Sequence, residues 1–318
     1  MNEQRIIYMG TPEFAVAGLD ALIEAGVNVA AVVTAPDRPA GRGRQLRESA
    51  VKQRAMELGS SILQPERLRD PDFLEELDRL NADLFVVVAF RMLPEVVWSK
   101  PRKGTINLHA SLLPQYRGAA PINWAVINGE ERTGVSTFFI RHEIDTGDLL
   151  DHAAVDIGPE ETAGELHDRL MMTGASVLVR TVRSILSGNA RSTPQPPITG
   201  ELRTAPKLTP TNCRIDWNRS AQQVHDLIRG LSPFPGATTE LNTSMRGSMQ
   251  FKILRSVVSS TSDPGRPIGA SWIEGDRFFA RCGSGVIELR EVQQEGRKRM
   301  SAAEFTRGAQ GFGSLLFS

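Results

Sequence analysis

The sequence predicts an α/β fold: a mostly parallel sheet with helices on both faces, followed by a small β-barrel. Three observations carry this. Short β-type runs alternate with helical patterns through the first 190 or so residues, which is the order of a parallel sheet with crossover helices. The run at 84–89, LFVVVA, is apolar at every position, as in strands buried on both faces. Beyond a proline-rich stretch, five short strand candidates follow, separated by Gly, Asp and Ser turns, the pattern of a small barrel.

Residues 5–9 (RIIYM) read as a buried strand. Gly10 to Glu13 turn the chain into a helix, with Thr11 expected to cap, Pro12 at the first helical position and Glu13 at the positive dipole end. Phe14, Leu19, Leu22 and Ile23 recur at helical spacing. Residues 28–34 predict a second strand, 49–59 and 71–80 helices, 84–89 and 104–109 strands, 121–128 a helix, 135–141 a strand and 161–187 a long helix. Residues 189–210 hold five prolines and little apolar periodicity, which predicts a linker. After a helix at 220–229, strands are expected at 237–241, 249–258, 268–273, 277–281 and 286–292. The expected domains are 1–188 and 207–318, joined by 189–206.

Composition narrows the function classes. The 318 residues carry 37 Lys+Arg and 37 Asp+Glu, so the net charge is zero and gives no long-range attraction to a polyanion. Residues 204–318 hold 15 basic against 10 acidic residues, which leaves 22 against 27 in residues 1–203. Cys213 and Cys282 cannot build a disulfide framework or a complete zinc cage. No apolar run approaches the roughly 20 residues of a membrane span, and the N-terminus lacks a signal-peptide core, so the cytoplasm is expected. No segment reads as an obvious interface, so a monomer is expected.

One constellation points to chemistry: Asn107-Leu108-His109-Ala110-Ser111-Leu112-Leu113-Pro114, with Asp145 far downstream in IDTG. Asn107 and His109 stand at i and i+2, so on a strand they share a face. They lie at the C-terminal end of a predicted parallel strand, where open α/β sheets place ligands. An Asn amide can donate to an oxyanion, a His exchanges protons near neutral pH, and Asp145 could orient the imidazole. An amide donor, an imidazole and a carboxylate, without a nucleophilic Ser or Cys or a metal, fit direct acyl transfer to an amine. The competing reading is structural, since a single Asn or His near a strand end is usually satisfied by local hydrogen bonds.

His142, His152, His167 and His225 lack metal-ligand spacing and read as surface or packing residues. Gly10-Thr11-Pro12 lacks the glycine triplet of a dinucleotide fingerprint. Residues 35–47 (APDRPAGRGRQLR) set four arginines against one aspartate, with two glycines and two prolines. This composition predicts neither helix nor strand but a mobile basic loop able to reach phosphates. The cluster Gly296-Arg297-Lys298-Arg299 is a second basic feature, in the barrel region.

The segments MGTPEFA (9–15), PDRPAGRGRQL (36–46), NLHASLLP (107–114), RGAAPI (117–122), DTGD (145–148), IDW (215–217) and EGRKRM (295–300) together resemble the methionyl-tRNA formyltransferase family over essentially the whole chain. The resemblance implies a Rossmann-like formyltransferase domain joined to an OB-like β-barrel. It implies formyl transfer from the co-substrate 10-formyltetrahydrofolate to methionine on initiator tRNA, with no metal. It makes Asn107, His109 and Asp145 catalytic. It assigns Ser111, Leu112, Leu113, Pro114, Val88, Phe90 and Leu93 to folate. Arg38, Arg42, Arg44, Lys207, Arg297, Lys298 and Arg299 would meet tRNA. There is one departure: where family members carry a glycine-containing turn after 84–89, this chain has a turn one residue shorter with Arg91. Two alternatives differ in substrate or class. One is a formyltransferase for a small, nucleotide-linked amine; the other is a non-catalytic RNA-binding protein on an enzyme scaffold.

Overall fold

A computed structural model describes residues 4–40, 45–198, 200–261, 265–309 and 312–318. The chain forms two compact units. Met1–Gly118, Gly134–Val155 and His167–Thr204 make the first; Ala119–Thr133, Asp156–Leu166 and Ala205–Ser318 make the second.

The chain runs through β1 (Arg5–Gly10), α1 (Glu13–Glu24), β2 (Asn28–Val33), β3 (Arg38–Ala40), β4 (Gln45–Arg47), α2 (Ala50–Glu57) and β5 (Ile62–Leu63). It continues through α3 (Pro71–Leu80), β6 (Leu84–Val88), α4 (Glu95–Trp98), β7 (Thr105–His109), β8 (Arg117–Gly118), α5 (Pro121–Ile127), β9 (Arg132–Phe139) and β10 (Leu149–Asp156). The helix α6 (Ala163–Leu186) and the short β11 (Thr204–Ala205) follow. The main sheet has the order β10-β9-β7-β6-β1-β2-β5. Strands β5, β2, β1, β6 and β7 are mutually parallel, and β9 is antiparallel to β7. The predicted mostly parallel sheet is thus present.

Burial on both faces explains the apolar runs. Ile7, Met9, Phe85 and Val87 join Phe73, Leu77 and Val97 in one core cluster. Their neighbours Ile6, Tyr8, Val86 and Val88 are fully buried as well. Each such side chain contributes about 1.5–3 kcal/mol relative to exposure. Local signals set the helix ends. Asp70 caps α3 by accepting from the Asp72 amide at 3.0 Å, Pro71 occupies the first turn, and Asn81 ends it in the left-handed region at φ 44°. At α1 the expected cap differs: Pro12 is itself the cap residue, with no side-chain cap bond, and Thr11 lies outside the helix.

The second unit holds α7 (Ala221–Gly230), β12 (Ala237–Thr243), β13 (Gly247–Ser259), β14 (Ala270–Glu274), β15 (Arg277–Arg281), β16 (Val286–Gln294), β17 (Met300–Ser301), α8 (Ala302–Gly308) and β18 (Leu315–Phe317). Among the described residues six strands, β13-β12-β18-β14-β15-β16, pair antiparallel, and a β13–β16 ladder closes them into a barrel. Five barrel strands were expected; the sixth, β18, is three residues long and completes the ring. Trp217 stacks on Phe317 at 4.9 Å and Phe251 meets Phe305 edge-on at 5.1 Å inside it. Ser220 with Gln223 and Ser301 with Glu304 form capping boxes on α7 and α8.

Two earlier stretches of chain belong to this second unit. Asn123 of α5 donates to the Gly230 carbonyl at 2.8 Å, and Ile127 packs on the barrel core. Arg229 donates to the carbonyls of Gly158 and Glu161, both at 3.2 Å, while its Nε pairs with Asp226 at 2.7 Å. Gly164 leaves room for Pro233, whose Cδ would lie 2.4 Å from an added Cβ.

Candidate active site

In the first unit the strand order turns around between β1 and β6. From β1 the chain builds outward through β2 to β5; it then returns to the other side for β6 and β7. Neighbouring crossovers therefore leave in opposite directions at the carboxyl ends of β1 and β6, which opens a crevice there. Gly10 ends β1 beside Val88, the last residue of β6. A Cβ on Gly10 would come within 2.6 Å of the Ala15 Cβ and 3.1 Å of the Val88 carbonyl, so only glycine lets the two strand ends and the α1 turn approach this closely.

Asn107 and His109 end the adjacent strand β7. Asn107 is half-buried, and among the described residues its amide has no hydrogen-bond partner. His109 is buried, 6% exposed. Its Nε2 lies 2.8 Å from the Tyr116 carbonyl oxygen. A carbonyl only accepts, so Nε2 carries hydrogen and Nδ1 is the nitrogen left for exchange. Nδ1 faces Asp145 Oδ2 across 3.8 Å. That same oxygen accepts the Gly118 backbone N–H at 3.0 Å. The three sequence-predicted residues thus lie in one unit, with His109 and Asp145 in direct apposition.

Backbone strain gathers beside them. Ala89, Tyr116 and Asp145 are non-glycine residues at φ 46°, 59° and 54°. Such conformations cost about 1–3 kcal/mol and persist where surroundings over-determine them, typically at functional sites. Gly147 is needed for space: an added Cβ would lie 1.6 Å from the Phe139 carbonyl oxygen.

The Ser111–Pro114 turn is wired to β9. Ser136 Oγ donates to the Ser111 carbonyl at 2.7 Å and accepts from the Leu113 amide at 3.2 Å, and the Ser111 hydroxyl donates to the Gln115 carbonyl at 2.7 Å. Ser111, Leu113 and Pro114 are buried and Leu112 half-buried, so Leu112 keeps the more open side chain of the four. At and beyond the end of β6, Val88 is fully buried, Leu93 belongs to the sheet core, and Phe90 packs on it half-exposed. Arg91 fastens this turn by donating to the Glu66 carbonyl at 2.9 Å and to that of Pro65, with its guanidinium 5.5 Å above the Phe90 ring. Burial, and then the nearby Arg38 charge, lower its pKa.

The basic loop differs from expectation. Residues 38–40 and 45–47 pair as an antiparallel ladder, Arg38 with Arg47 and Pro39 with Leu46. A proline is tolerated because a two-stranded ribbon has free edges. The stem is braced from below. Asp37 accepts from Lys52 at 2.5 Å and from Gln64 at 2.9 Å, and the Lys52 ammonium holds its carboxyl below the usual aspartate range. Arg38 is exposed; Arg42 and Arg44 lie outside the described residues. In the second unit Lys207, Arg297, Lys298 and Arg299 are all exposed, with Arg299 paired to Glu291 at 2.5 Å. No helix among the described residues is long and apolar enough to cross a membrane, and no group of three His, Cys, Asp or Glu could hold a metal ion.

Sequence reasoning missed the outer ring of this site. Gln195, in the proline-rich stretch, donates through Nε2 to the carbonyls of Asp145 at 2.7 Å and Gly147 at 3.0 Å, and accepts from Arg117 at 2.5 Å. No periodicity marks it. The exception to exposure in 191–198 is this one half-buried side chain, a signal only the fold reveals.

Known proteins match this chain over most of its length. The profile described as "Formyl transferase" matches residues 4–182, and "Formyl transferase, C-terminal domain" matches 207–310. The chain is similar to the methionyl-tRNA formyltransferase of Bacteroides fragilis, 47% identical over 310 residues, covering 96% of this chain and 95% of that one. It is 48% identical over 312 residues to the methionyl-tRNA formyltransferase of Parabacteroides distasonis, covering 96% of each. Among solved structures it resembles WlaRD, a sugar 3N-formyl transferase in the presence of dTDP and 5-N-formyl-THF. The TM-score is 0.65 at 17% identity, over 94% of this chain and 100% of that chain.

Proposed function

The chain belongs to the formyl transferase family, and from that premise we propose that it moves the formyl group of 10-formyltetrahydrofolate onto the amino nitrogen of methionine on initiator tRNA. The observation that carries the reading is the Asn107–His109–Asp145 set at the switch-point crevice: an amide unpartnered among the described residues, and an imidazole facing a carboxylate at 3.8 Å. Relatives named methionyl-tRNA formyltransferase, similar over 96% of the chain, support the tRNA acceptor and disfavour the small-amine alternative.

The chain's residues divide the work. Asn107 would donate to the formyl oxygen as it gains negative charge during addition of the amine nitrogen to the formyl carbon. His109 Nδ1, backed by Asp145, would accept the proton that the attacking nitrogen loses. When the bond from the formyl carbon to N10 breaks, the same pair returns a proton to N10, so the site ends in its starting state. Nε2 stays committed to Tyr116 throughout, which confines proton exchange to the Asp145 side. For a folate, Phe90 would supply accessible apolar surface, with Val88 and Leu93 buried, and Ser111 to Pro114 would supply the binding turn. Arg38, Arg42, Arg44, Lys207, Arg297, Lys298 and Arg299 would contact tRNA phosphates.

In this reading residues 1–188 form the catalytic domain, 207–318 an OB-like tRNA-binding domain, and 189–206 their linker. The protein works as a cytoplasmic monomer. The test is formyl transfer from 10-formyltetrahydrofolate to methionyl initiator tRNA, methionyl elongator tRNA and free amines. Fast transfer to the initiator alone is expected. Preference for a free amine would keep the site and overturn the tRNA acceptor.

A further inference from the structure

The stretch after α6 is fastened to the catalytic strand ends of the first unit at three places. Thr193 and Leu149 exchange both backbone hydrogen bonds, at 2.7 and 2.9 Å. Gln195 bonds the Asp145 loop as described above. Arg203 accepts the Tyr116 amide at 2.7 Å through its carbonyl, and its own amide donates to the Gln115 side chain at 2.9 Å. The segment therefore grips both walls of the His109–Asp145 pair: the loop that carries Asp145, and the residue whose carbonyl binds His109.

We infer that Gln195 is a positioning residue for Asp145. The inference rests on the formyl-transfer reading of the same site. Asp145 holds its carboxylate toward His109 from a left-handed backbone conformation that a non-glycine residue does not keep unaided. Its carbonyl and that of Gly147 converge on one Gln195 amide nitrogen, at 2.7 and 3.0 Å. The two N–H groups of that nitrogen tie both sides of the Asp145–Gly147 turn to one point. The amide oxygen is engaged by Arg117, so the amide cannot flip without losing all three bonds. Arg117 immediately precedes Gly118, whose N–H holds the Asp145 carboxylate. The ring Gln195–Arg117–Gly118–Asp145 thus closes on itself, with backbone and carboxylate of Asp145 held from opposite sides. Gln195 itself bonds only the Asp145 and Gly147 carbonyls and Arg117 and takes no part in the proton transfer, so its effect must pass through the placement of Asp145.

The chemistry of the amide supplies a discriminating pair of variants. Gln195→Met keeps length and removes every polar atom. Gln195→Glu keeps length and the Arg117 partner, but turns the donor that faces two carbonyls into an acceptor. In the full-length protein both variants are expected to lower kcat about 10- to 100-fold through misplacement of the carboxylate. KM for 10-formyltetrahydrofolate and for methionyl initiator tRNA should stay within about twofold, because binding groups are untouched. The melting temperature checks that each variant is folded. A Gln195→Glu variant with wild-type kcat would show that pairing with Arg117 suffices and would overturn the inference. So would wild-type kcat in Gln195→Met, or a rise in KM with kcat unchanged. A wild-type protein that formylates no amine would instead remove the formyl-transfer reading on which the inference stands.

Discussion

Gly147 follows Asp145 by two residues and is pressed against the last carbonyl of β9. A Cβ at this position would sit 1.6 Å from the Phe139 oxygen, 2.8 Å from its carbonyl carbon and 3.2 Å from the Phe138 ring. Non-bonded atoms settle near 3.5 Å. Gly147→Ala must therefore drive two backbone segments apart by roughly 1.5–2 Å, since neither partner in the closest contact is a side chain that could rotate away. Asp145 lies on the moving segment. Its carboxylate bonds Gly118 at 3.0 Å and faces His109 at 3.8 Å, so a shift of this size breaks the first and abolishes the apposition. Misplacement by about 1 Å costs on the order of 10²-fold in rate. Overpacking itself costs about 1–3 kcal/mol, within the 5–15 kcal/mol typical of a folded protein, so the variant should fold. The assay is single-turnover transfer at saturating co-substrate, beside a thermal melt. A Gly147→Ala protein that melts normally and transfers within threefold of wild type would show that the Asp145 position does not govern the rate.

Asn107→Ala should lower kcat about 10²–10³-fold by removing one oxyanion donor, with tRNA affinity by filter binding unchanged; retained turnover would take Asn107 out of catalysis. Arg42→Ala should weaken transfer to tRNA at physiological salt and reduce the slope of log affinity against log salt by about one; an unaltered slope would detach the loop from phosphate contact. Burial pushes the Cys282 thiol from its ordinary 9.0 up to about 12. Above pH 9 the unfolded chain loses a proton the folded chain keeps, so stability should fall by up to about 1.4 kcal/mol per pH unit between about 9 and 12. Urea unfolding at pH 9 and 11 measures this, and Cys282→Ala should lack that component; equal slopes in both proteins would refute the assignment.

What could be read from the sequence was what local chemistry decides. Residues 71–80 were legible because Asp70, Pro71 and the Phe73/Leu77 spacing act within one helix. Strand 277–281 was legible as a short run, RFFAR, with Gly275 and Asp276 before it and Gly283 and Ser284 after it. Asn107 and His109 were legible as candidates because a strand converts i, i+2 spacing into a shared face. What tertiary partners decide was not. β10 was missed because, outside its first residues, it alternates half-buried with exposed positions at a sheet edge, so its apolar signal is weak. β18 is a three-residue strand whose partners β12 and β14 are distant in sequence. The arginine-rich segment reads as loop by composition, yet Asp37, Lys52 and Gln64 brace its stem into a ribbon. Gln195 acts 50 residues from the carbonyl it holds, which no local pattern encodes.

The threading of residues 119–133 and 156–166 into the second unit bears on how such a chain can recombine. A crossover placed in 189–206 would import a barrel and α7 while retaining the host's α5 and residues 156–166, which include the start of α6. Those pieces meet at tight points: an added Cβ on Gly230 would lie 2.5 Å from Ile127, and one on Gly164 would lie 2.4 Å from Pro233. A graft would inherit one half of each contact from each parent. Substitutions at 127 and 230, or at 164 and 233, must then drift in concert, so exchange at the apparent boundary is penalised even though the peptide there offers an easy place to cut.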